Sequence, residues 1–486
     1  MTHTKAPTTN RRSPKATSST GSTAVANRPQ TQPATSIDPR TSLRHTHLIE
    51  RTYQNNLDSD YTEKIAELTR SFSYAQNKEH FWSAPTHSLL YGTPLYAEAS
   101  SSQHLALNHL SWFANYNYIS NSETETVLYN QITGSVFQSI GGYDTLAKEL
   151  AFETEQEHDH IKAFRKVGLM TATSLIGRTG LNGLLKWNTY KLTLGKQPLP
   201  TAQYYALRSL SKSLGSSSHY SPYLQFLETE NKFILKAPTA GMLGRSVGPS
   251  LPLQSFYGFS WGAGSPFMAC QFYTVRMIAN LYLKNMEHAI AKYAKRLENK
   301  GAENKGAFVP APTAISRYHF LDESFHTTIS RLLAKDLYKA FDKPTRYEKL
   351  VANSVIYKMQ KGTLGGLSAV LPHRYFPDDF TIFELLYQLL QSPVFSFSKS
   401  EAKHWMNRCL CEEHEGLHIA AANRQRLLKE LRDFFASVDY LSAVNCQMDE
   451  MANRGEISTA LQQNKQTFTQ FFKQADIESV KPAQSS

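Results

Sequence analysis

Apolar residues recur along most of the chain at the three- and four-residue spacing of amphipathic helices, whereas the alternation typical of strands is scarce. Residues 145–170, TLAKELAFETEQEHDHIKAFRKVGLM, are a clear example, because apolar side chains recur at helical spacing among charged ones. Thr313 is the predicted N-cap of a later helix, and Pro344 is expected to end it. That helix is predicted over residues 313–342, and two other long helices are predicted over residues 104–136 and 266–298. The pattern therefore predicts an all-α fold.

The same pattern divides the chain into segments. Residues 1–40 are rich in Ser, Thr, Pro and basic side chains, so we expect a disordered tail that cannot repay its ordering entropy. A main helical domain is predicted over 41–345, and its Gly-, Ser- and Pro-rich part, 172–265, is expected to be an irregular, lid-like insertion. A C-terminal helical extension is predicted over 346–472, followed by a flexible tail at 473–486.

Charge and composition narrow the class of protein. More than half of the net charge of +11 lies in residues 1–44. The basic pI is therefore largely a property of the N-terminal tail and does not indicate that the rest of the chain binds nucleic acid. Four cysteines are too few and too unevenly spaced for a disulfide scaffold, and they fit a cytoplasmic protein. No apolar run reaches membrane-spanning length, since polar residues interrupt the best candidate, 267–286. The tail composition also resembles that of an organelle transit peptide.

The chemistry-bearing residues lie on the predicted long helices. His319, Glu323 and His326 are spaced i, i+4 and i+7, which places three potential metal ligands on one helix face. Glu157 and His160 repeat the Glu-x-x-His spacing on another helix. Helical bundles that bind two iron or manganese ions use this motif on each of two helices, with one further Glu from each of two others. The sequence therefore predicts a two-metal site.

Lone glutamates complete the predicted ligand set. Glu123 lies 34 residues before the first motif Glu, and Glu287 lies 36 residues before the second, as expected for antiparallel helix pairs. Four carboxylates would neutralise two divalent ions, and carboxylate with imidazole suits iron, while manganese remains an alternative. Asp322 and Gln156 directly precede the motif glutamates and are expected to hydrogen-bond the ligand histidines across the bundle.

Several alternatives remain open at the level of sequence. Glu-x-x-His occurs five times in the chain, so any single instance is weak evidence. Glu155 with His158 is a competing pair on a different helix face, and Glu125 competes with the first lone glutamate. Glu153 extends the preferred stripe and is expected to be either a neighbour of the ligands or a solvated acid.

One more motif points elsewhere. His414, Glu415 and His418 match the H-E-x-x-H pattern of zinc proteases on a predicted helix. No third zinc ligand stands out, and the surroundings, CEEHEGLH, are densely charged. We therefore interpret this motif as an ordinary helix turn, with a zinc protease as a rival hypothesis.

Over residues 100–345 the order of these groups resembles the p-aminobenzoate N-oxygenase family of ferritin-like di-iron enzymes. The additional histidine, His319, distinguishes this pattern from many other di-iron bundles. The resemblance implies a ferritin-like helical bundle with additional C-terminal helices, a small-molecule substrate and oxidation of an aryl-amine. The implied ligands, which are also the predicted catalytic residues, are Glu123, Glu157, His160, Glu287, His319, Glu323 and His326.

The functional expectation is a non-haem di-iron oxygenase that activates O₂ and oxidises a small organic substrate, with N-oxygenation of an amine as the leading reaction. Because the chain has no dinucleotide-binding motif and no cysteine cluster, electrons should come from an external reductase. The alternatives are a di-iron hydroxylase, desaturase or C–C-cleaving oxidase, and a non-catalytic ferritin-like metal-binding protein. A homodimer is compatible with the sequence, which does not predict the oligomeric state.

Overall fold

The computed structural model describes residues 39–194, 209–210, 213–214, 265–304, 308–374 and 376–480. Within these ranges every regular element is a helix, and no strand is present, so the predicted all-α fold is confirmed. No helix in the described residues is both long enough and apolar enough to cross a membrane.

Four long helices form the centre of the fold. The chain enters through α1 (Pro39–Asp58), α2 (Thr62–Ser71), α3 (Tyr74–Asn77) and α4 (Pro94–Glu98). The long helices then follow in the order α5 (Ser101–Ile140), α6 (Asp144–Leu194), α7 (Pro266–Asn304) and α8 (Ala311–Lys335). Short connections make α5 antiparallel to α6 and α7 antiparallel to α8, which gives two helix pairs of similar design.

Local sequence signals fix the ends of the first pair. Ser100 and Gln103 form a reciprocal capping box that satisfies backbone N–H groups at the start of α5. Gly141, with φ of 81°, ends α5, since this left-handed conformation is open to glycine without a Cβ clash. The chain therefore reverses within three residues and lets α6 pack along almost the whole of α5.

The remaining helices surround this centre. Helices α1 and α2 pack against α6 and α8, and a second apolar core forms where α6 meets α10 and its neighbours. The C-terminal part contains α9 (Arg346–Lys361), α10 (Phe380–Gln391), α11 (Lys399–Cys411), α12 (Glu415–Phe435), α13 (Ala443–Cys446), α14 (Asp449–Ala452) and α15 (Ile457–Val480). Helices α9 and α12 both contact α7, so the C-terminal helices are part of the same compact unit as the bundle.

The bounds of α8 differ from the prediction. The helix begins at Ala311, and Thr313 is inside its first turn rather than at the N-cap. The Thr313 hydroxyl donates instead to the Trp82 carbonyl at 2.7 Å, a long-range contact that its local sequence does not reveal. The helix ends at Lys335 and is followed by a 3₁₀ turn at Leu337–Ala340, so the predicted helix end at residue 342 was also wrong.

The insertion was predicted to hold irregular excursions and short helices, and its first part is a continuation of the long helix α6 from residue 172 to Leu194. A break at Gly177, where φ is 73°, is the one departure from helical geometry, and the flanking Ile176 and Leu181 are buried in the second core. Most of 195–264 lies outside the described residues, so the lid remains a prediction.

The ends of the chain also bear on the predicted boundaries. Helix α15 continues to Val480 rather than giving way to a flexible tail at residue 473. The predicted N-terminal tail falls almost entirely on residues 1–38, and residues 481–486 complete the predicted C-terminal tail. Both stretches lie outside the described residues.

Candidate metal centre

Side chains from all four long helices meet at one buried point. Helix α5 supplies one glutamate, α6 a Glu-x-x-His pair, α7 one glutamate, and α8 the i, i+4, i+7 stripe. The ring centroids of His160 and His326 are 6.2 Å apart, and those of His160 and His319 are 4.5 Å apart. None of the seven is more than 6% exposed, and the set is Glu123, Glu157, His160, Glu287, His319, Glu323 and His326.

The first half of the cluster is centred on His319. Its Nδ1 is 2.7 Å from Glu287 Oε1, and its Nε2 is 3.0 Å from Glu123 Oε1 and 3.5 Å from Glu323 Oε1. His160 joins this group, since four potential ligand atoms, one each from Glu123, His160, His319 and Glu323, lie within 4.8 Å of one another. These atoms are spaced as donors that could share one metal ion.

The second half is centred on His326. Its Nδ1 is 2.8 Å from Glu323 Oε1 and 3.5 Å from Glu157 Oε1. Glu153, one turn before Glu157 on α6, is also fully buried here, and its carboxylate lies within 4.8 Å of the Glu157 and His326 donor atoms. Glu323 thus lies between the two halves, where a carboxylate can bridge two ions.

The chemistry of the donor set fits a pair of divalent metal ions. In the seven predicted ligands, four buried atoms have no hydrogen-bond partner among the described residues, and they are Oε2 of Glu123, Glu157 and Glu287 and Nδ1 of His160. Two of them, Glu157 Oε2 and His160 Nδ1, lie 3.7 Å apart as an ion pair. Burial of such atoms without a partner is costly, whereas metal coordination would satisfy them all. Oxygen and imidazole nitrogen donors suit iron or manganese, and no thiolate lies in either group.

A second layer of hydrogen bonds orients two of the imidazoles. His160 Nε2 is 3.2 Å from Asp322 Oδ2, and His326 Nε2 is 2.9 Å from Gln156 Oε1, so each ring is bound by the helix opposite its own. These are the contacts predicted from the sequence. Asn56 on α1 donates to Gln156 Oε1 at 3.3 Å in turn. Because Nε2 is engaged, Nδ1 of each ring is directed toward the cluster.

Arg276 is a charged neighbour of the centre that was not among the site residues predicted from the sequence. It is 5% exposed on α7 and forms an ion pair with Glu153 and a 3.0 Å hydrogen bond from Nη2 to Glu157 Oε1. The available signal was its position inside the apolar run 267–286, since a cation buried there requires an anionic partner. Arg276 therefore compensates the charge of a fifth buried carboxylate.

The clustered charges perturb one another. Burial tends to lower the pKa values of the histidines, but the surrounding carboxylates outweigh it, so the pKa of His160 rises to about 9 and that of His326 to about 10. Burial raises the pKa of Glu123 to about 7. For Glu323 burial acts in the same direction, yet the charges of His326, His319 and Arg276 outweigh it and lower its pKa. Without metal, the cluster therefore retains protons that metal ions must displace.

A cavity of about 180 Å³ lies next to the centre between α5, α7 and α9. Carboxylates of the cluster form one end of it, at Glu123, Glu157 and Glu323. Gln271, Arg276 and Asn280 are the polar lining residues on the α7 side, and the buried Nδ2 of Asn280 has no hydrogen-bond partner among the described residues. The apolar wall is made by Ile119, Phe272, Val275, Ile278, Leu283, Val355, Met359 and Phe376.

The competing pairs do not reach the centre. Glu155 and His158 are exposed on the outer face of α6, and Glu125 lies further along the cavity wall rather than in either group of clustered donors. The two groups of clustered donors therefore contain six of the seven preferred residues and add Glu153. Glu287 lies outside both groups and contacts His319 Nδ1 instead.

The zinc-protease motif is not assembled as a metal site in the described residues. His414 Nε2 is 2.7 Å from the Cys409 carbonyl, and the exposed His418 pairs with Glu413 at 3.0 Å. Glu415 is exposed at the first turn of α12. The next residue, Gly416, donates its N–H to the Gly92 carbonyl at 3.0 Å, a close approach that explains the glycine. The motif therefore serves the packing of α12.

Comparison with known families covers most of the chain. The family model described as "Acyl halogenase CylC-like" matches residues 44–472, which include the C-terminal helices as well as the bundle. That family is related to di-iron ferritin-like enzymes, and the match does not confirm the p-aminobenzoate N-oxygenase family that the ligand pattern resembles. No curated protein and no solved structure shows significant similarity to the chain. On the extent of the family match, the chain belongs to the CylC-like acyl halogenase family.

Proposed function

We propose that the protein is a di-iron enzyme that uses O₂ to oxidise an acyl substrate placed in the cavity beside the metal centre. The observation that carries the proposal is the group of carboxylate and imidazole donors buried where four helices meet, four of whose atoms have no hydrogen-bond partner among the described residues. The family name, acyl halogenase, supplies the substrate class and supports an oxidative reaction.

The metal ligands in this proposal are the seven predicted residues. Glu123, His160, His319 and Glu323 would hold one ion, and Glu157 and His326 would hold the other. Glu287 would complete the set from the Nδ1 side of His319. His160 is close enough to His319 to complete the first group. Two bound iron ions supply the electrons and open coordination positions that O₂ activation needs.

The chain itself orients the ligands and keeps water away. Asp322 and Gln156 fix the His160 and His326 rings, so their Nδ1 atoms are oriented before metal arrives. Arg276 holds Glu153 as an ion pair and thereby limits the excess of negative charge near the ligands. The apolar wall of the cavity excludes water from the reacting carbon, which protects an oxidising site from side reactions.

The cavity fits an acyl chain with one polar end. Its wall is largely aliphatic and aromatic, and this surface favours a hydrocarbon chain over a charged metabolite. Asn280 Nδ2 is a buried donor without a partner on this wall, and an acyl carbonyl would satisfy it. This contact would set which carbon of the chain faces the carboxylate end.

Two outcomes of the reaction are distinguished by the product. Halide transfer to a C–H carbon is the leading one, because it corresponds to the family name. N-oxygenation of an amine is the second candidate, favoured by the order of the seven ligands, and an external reductase would supply electrons in either case. Assays should therefore offer an acyl thioester with chloride, the same thioester without halide, and an arylamine, with mass spectrometry as the readout.

Metal analysis tests the centre directly. Protein loaded anaerobically with Fe(II) is expected to hold about two irons per chain, by analogy with other Glu-x-x-His bundles. Glu157→Ala and Glu323→Ala should lower that count, while Glu415→Ala, which removes an exposed glutamate of the motif on α12, should leave it unchanged. An unchanged iron content in both ligand variants, or failure of the loaded protein to consume O₂ with any substrate, would refute the proposal.

A further inference from the structure

Four oxidisable side chains form a continuous series of ring contacts that starts at the metal centre. Tyr116 donates a 2.6 Å hydrogen bond to Glu287 Oε1, and its ring stacks on Trp112 with centroids 4.3 Å apart. Trp112 meets Trp82 edge-on at 6.0 Å, and Trp82 meets Tyr74 at 6.1 Å. Tyr74 is half-buried, whereas the other three rings are buried, so the series ends near the surface.

The outer end has a proton acceptor in place. The Tyr74 hydroxyl is 3.1 Å from His109 Nδ1, and His109 Nε2 is 2.8 Å from the His80 carbonyl. A carbonyl only accepts, so Nε2 must bear the hydrogen and Nδ1 must accept from the tyrosine. Burial also lowers the pKa of His109 to about 4, which keeps the ring neutral and able to take a proton near pH 7.

The inner end has one as well, because Glu287 accepts the hydrogen bond of Tyr116. Phenylalanines flank the series, Phe164 beside Tyr116 at 4.4 Å and Phe72 beside Trp82 at 6.1 Å, and the His109 ring stacks on Trp82 at 4.2 Å. Phenylalanine is far harder to oxidise than tyrosine or tryptophan. The oxidisable rings therefore define one route through a wider aromatic core, with a proton acceptor at each tyrosine.

We propose that Tyr74, Trp82, Trp112 and Tyr116 form a one-electron path between the protein surface and the metal centre. The proposal rests on the proposed function, because the path needs an oxidising centre at its inner end. Because tyrosine and tryptophan carry charge only after they have been oxidised, a reductant enters the path at Tyr74 once the centre has drawn an electron from the rings. When no substrate is bound, an electron from the surface can also reduce the oxidised centre through this path.

The electrons and protons balance along the path. Tyr116 loses one electron to the oxidised centre and its phenol proton to Glu287, and it regains both when Trp112 donates an electron and Glu287 returns the proton. Trp112 and Trp82 each lose one electron inward and receive one from the next ring. Tyr74 loses its electron to Trp82 and its proton to His109. A one-electron reductant then restores Tyr74, and His109 returns the proton.

The path can be tested in full-length protein without metal. A ruthenium–polypyridyl photo-oxidant is attached through Lys78→Cys, an exposed position four residues after Tyr74, in a Cys446→Ser background that removes the partly exposed native thiol. A laser flash with an external electron acceptor leaves the photo-oxidant one electron short. We expect transient absorption of a tyrosyl radical, followed by that of a tryptophan radical as the electron hole moves inward along the rings.

Matched variants locate the route. Trp82→Phe should lose the tryptophan-radical signal and leave the tyrosyl radical, while Trp405→Phe, which alters a tryptophan on α11 outside the series, should change neither. Tyr74→Phe removes one hydroxyl from a half-buried ring and provides a variant that does not depend on repacking Trp82. It should lose the tyrosyl phase and delay the tryptophan signal. Radical kinetics that are the same in the Trp82, Tyr74 and Trp405 variants would overturn the proposal.

A second measurement uses iron-loaded protein exposed to O₂ without substrate or reductant. Peptide mass spectrometry should find oxidised Tyr74 in the unaltered protein, and in Trp82→Phe the oxidation should shift inward to Trp112 and Tyr116. An unchanged pattern would contradict the path. The flash experiment needs no metal, so a failure of iron binding, which would refute the proposed function, remains separate from a failure of electron transfer along the rings.

Discussion

Replacement of Arg276 by methionine should destabilise the metal-free protein strongly. Arg276→Met keeps most of the apolar stem but removes the cation that pairs with Glu153 and Glu157. Neither oxygen of the Glu153 carboxylate has a hydrogen-bond partner among the described residues, so its charge is compensated by the ion pair with Arg276 and by the nearby His326. Removal of one partner from a buried ion pair costs about 3–5 kcal/mol, because the other charge remains buried without compensation.

Urea denaturation of the metal-free protein, followed by circular dichroism, measures this loss as a lower free energy of unfolding. The double variant Arg276→Met/Glu153→Gln removes both charges and should recover roughly 1–3 kcal/mol of it, since charges in contact are energetically coupled. The recovered part isolates the ion pair from the change in packing volume.

Arg317→Met is the matched control. Arg317 pairs with Glu298, and both side chains are more than one-third exposed, so loss of that pair should cost about 0–1 kcal/mol. A loss for Arg276→Met no larger than that of the control would refute the reasoning, because it would mean that Glu153 does not depend on Arg276 for compensation. No recovery in the double variant would contradict it as well.

Three further outcomes are expected. Asp322→Ala should weaken metal binding roughly 10–100-fold in a chelator competition, since His160 loses the partner that orients it, and unchanged affinity would show that the contact is incidental. Burial lowers the pKa of His109 from 6.5 to about 4. Its neutral ring should therefore add about 3 kcal/mol to the free energy of unfolding above pH 6.5, and this stability should be lost as pH falls to 4. Urea titrations of the unaltered protein and His109→Asn across that range should converge at low pH, and parallel profiles would argue against this assignment. Asn280→Leu should raise KM for an acyl thioester more than it lowers kcat, whereas the reverse would place Asn280 in the chemical step.

Much of the candidate centre could be predicted from the sequence, because helical spacing is a local property. Once residues 319–326 are helical, the i, i+4, i+7 offsets place His319, Glu323 and His326 on one face whatever surrounds them. The same argument identified Asp322 and Gln156 as partners of the opposite histidines. The same i, i+4, i+7 spacing of Glu153, Glu157 and His160 favoured Glu157 over the competing pair at Glu155, which is exposed in the structure.

Other boundaries depended on contacts distant in sequence. The extension of α6 past residue 172 buries Ile176 and Leu181 against α10, a surface that no local propensity predicts. Thr313 was predicted as an N-cap because it is a threonine near the start of a helix. Its hydroxyl instead donates a hydrogen bond to the carbonyl of Trp82, more than two hundred residues away in sequence. In both cases tertiary packing outweighed a local signal.

The sequence by itself determined the helices, their buried faces and the set of side chains that could bind metal, because each follows from the periodicity of one helix. Only the tertiary structure decided the pairing of Arg276 with Glu153, the unpartnered Asn280 on the cavity wall and the ring contacts from Tyr116 to Tyr74. These features depend on how helices are rotated and spaced against one another, and that arrangement results from the packing of the whole core rather than from any segment.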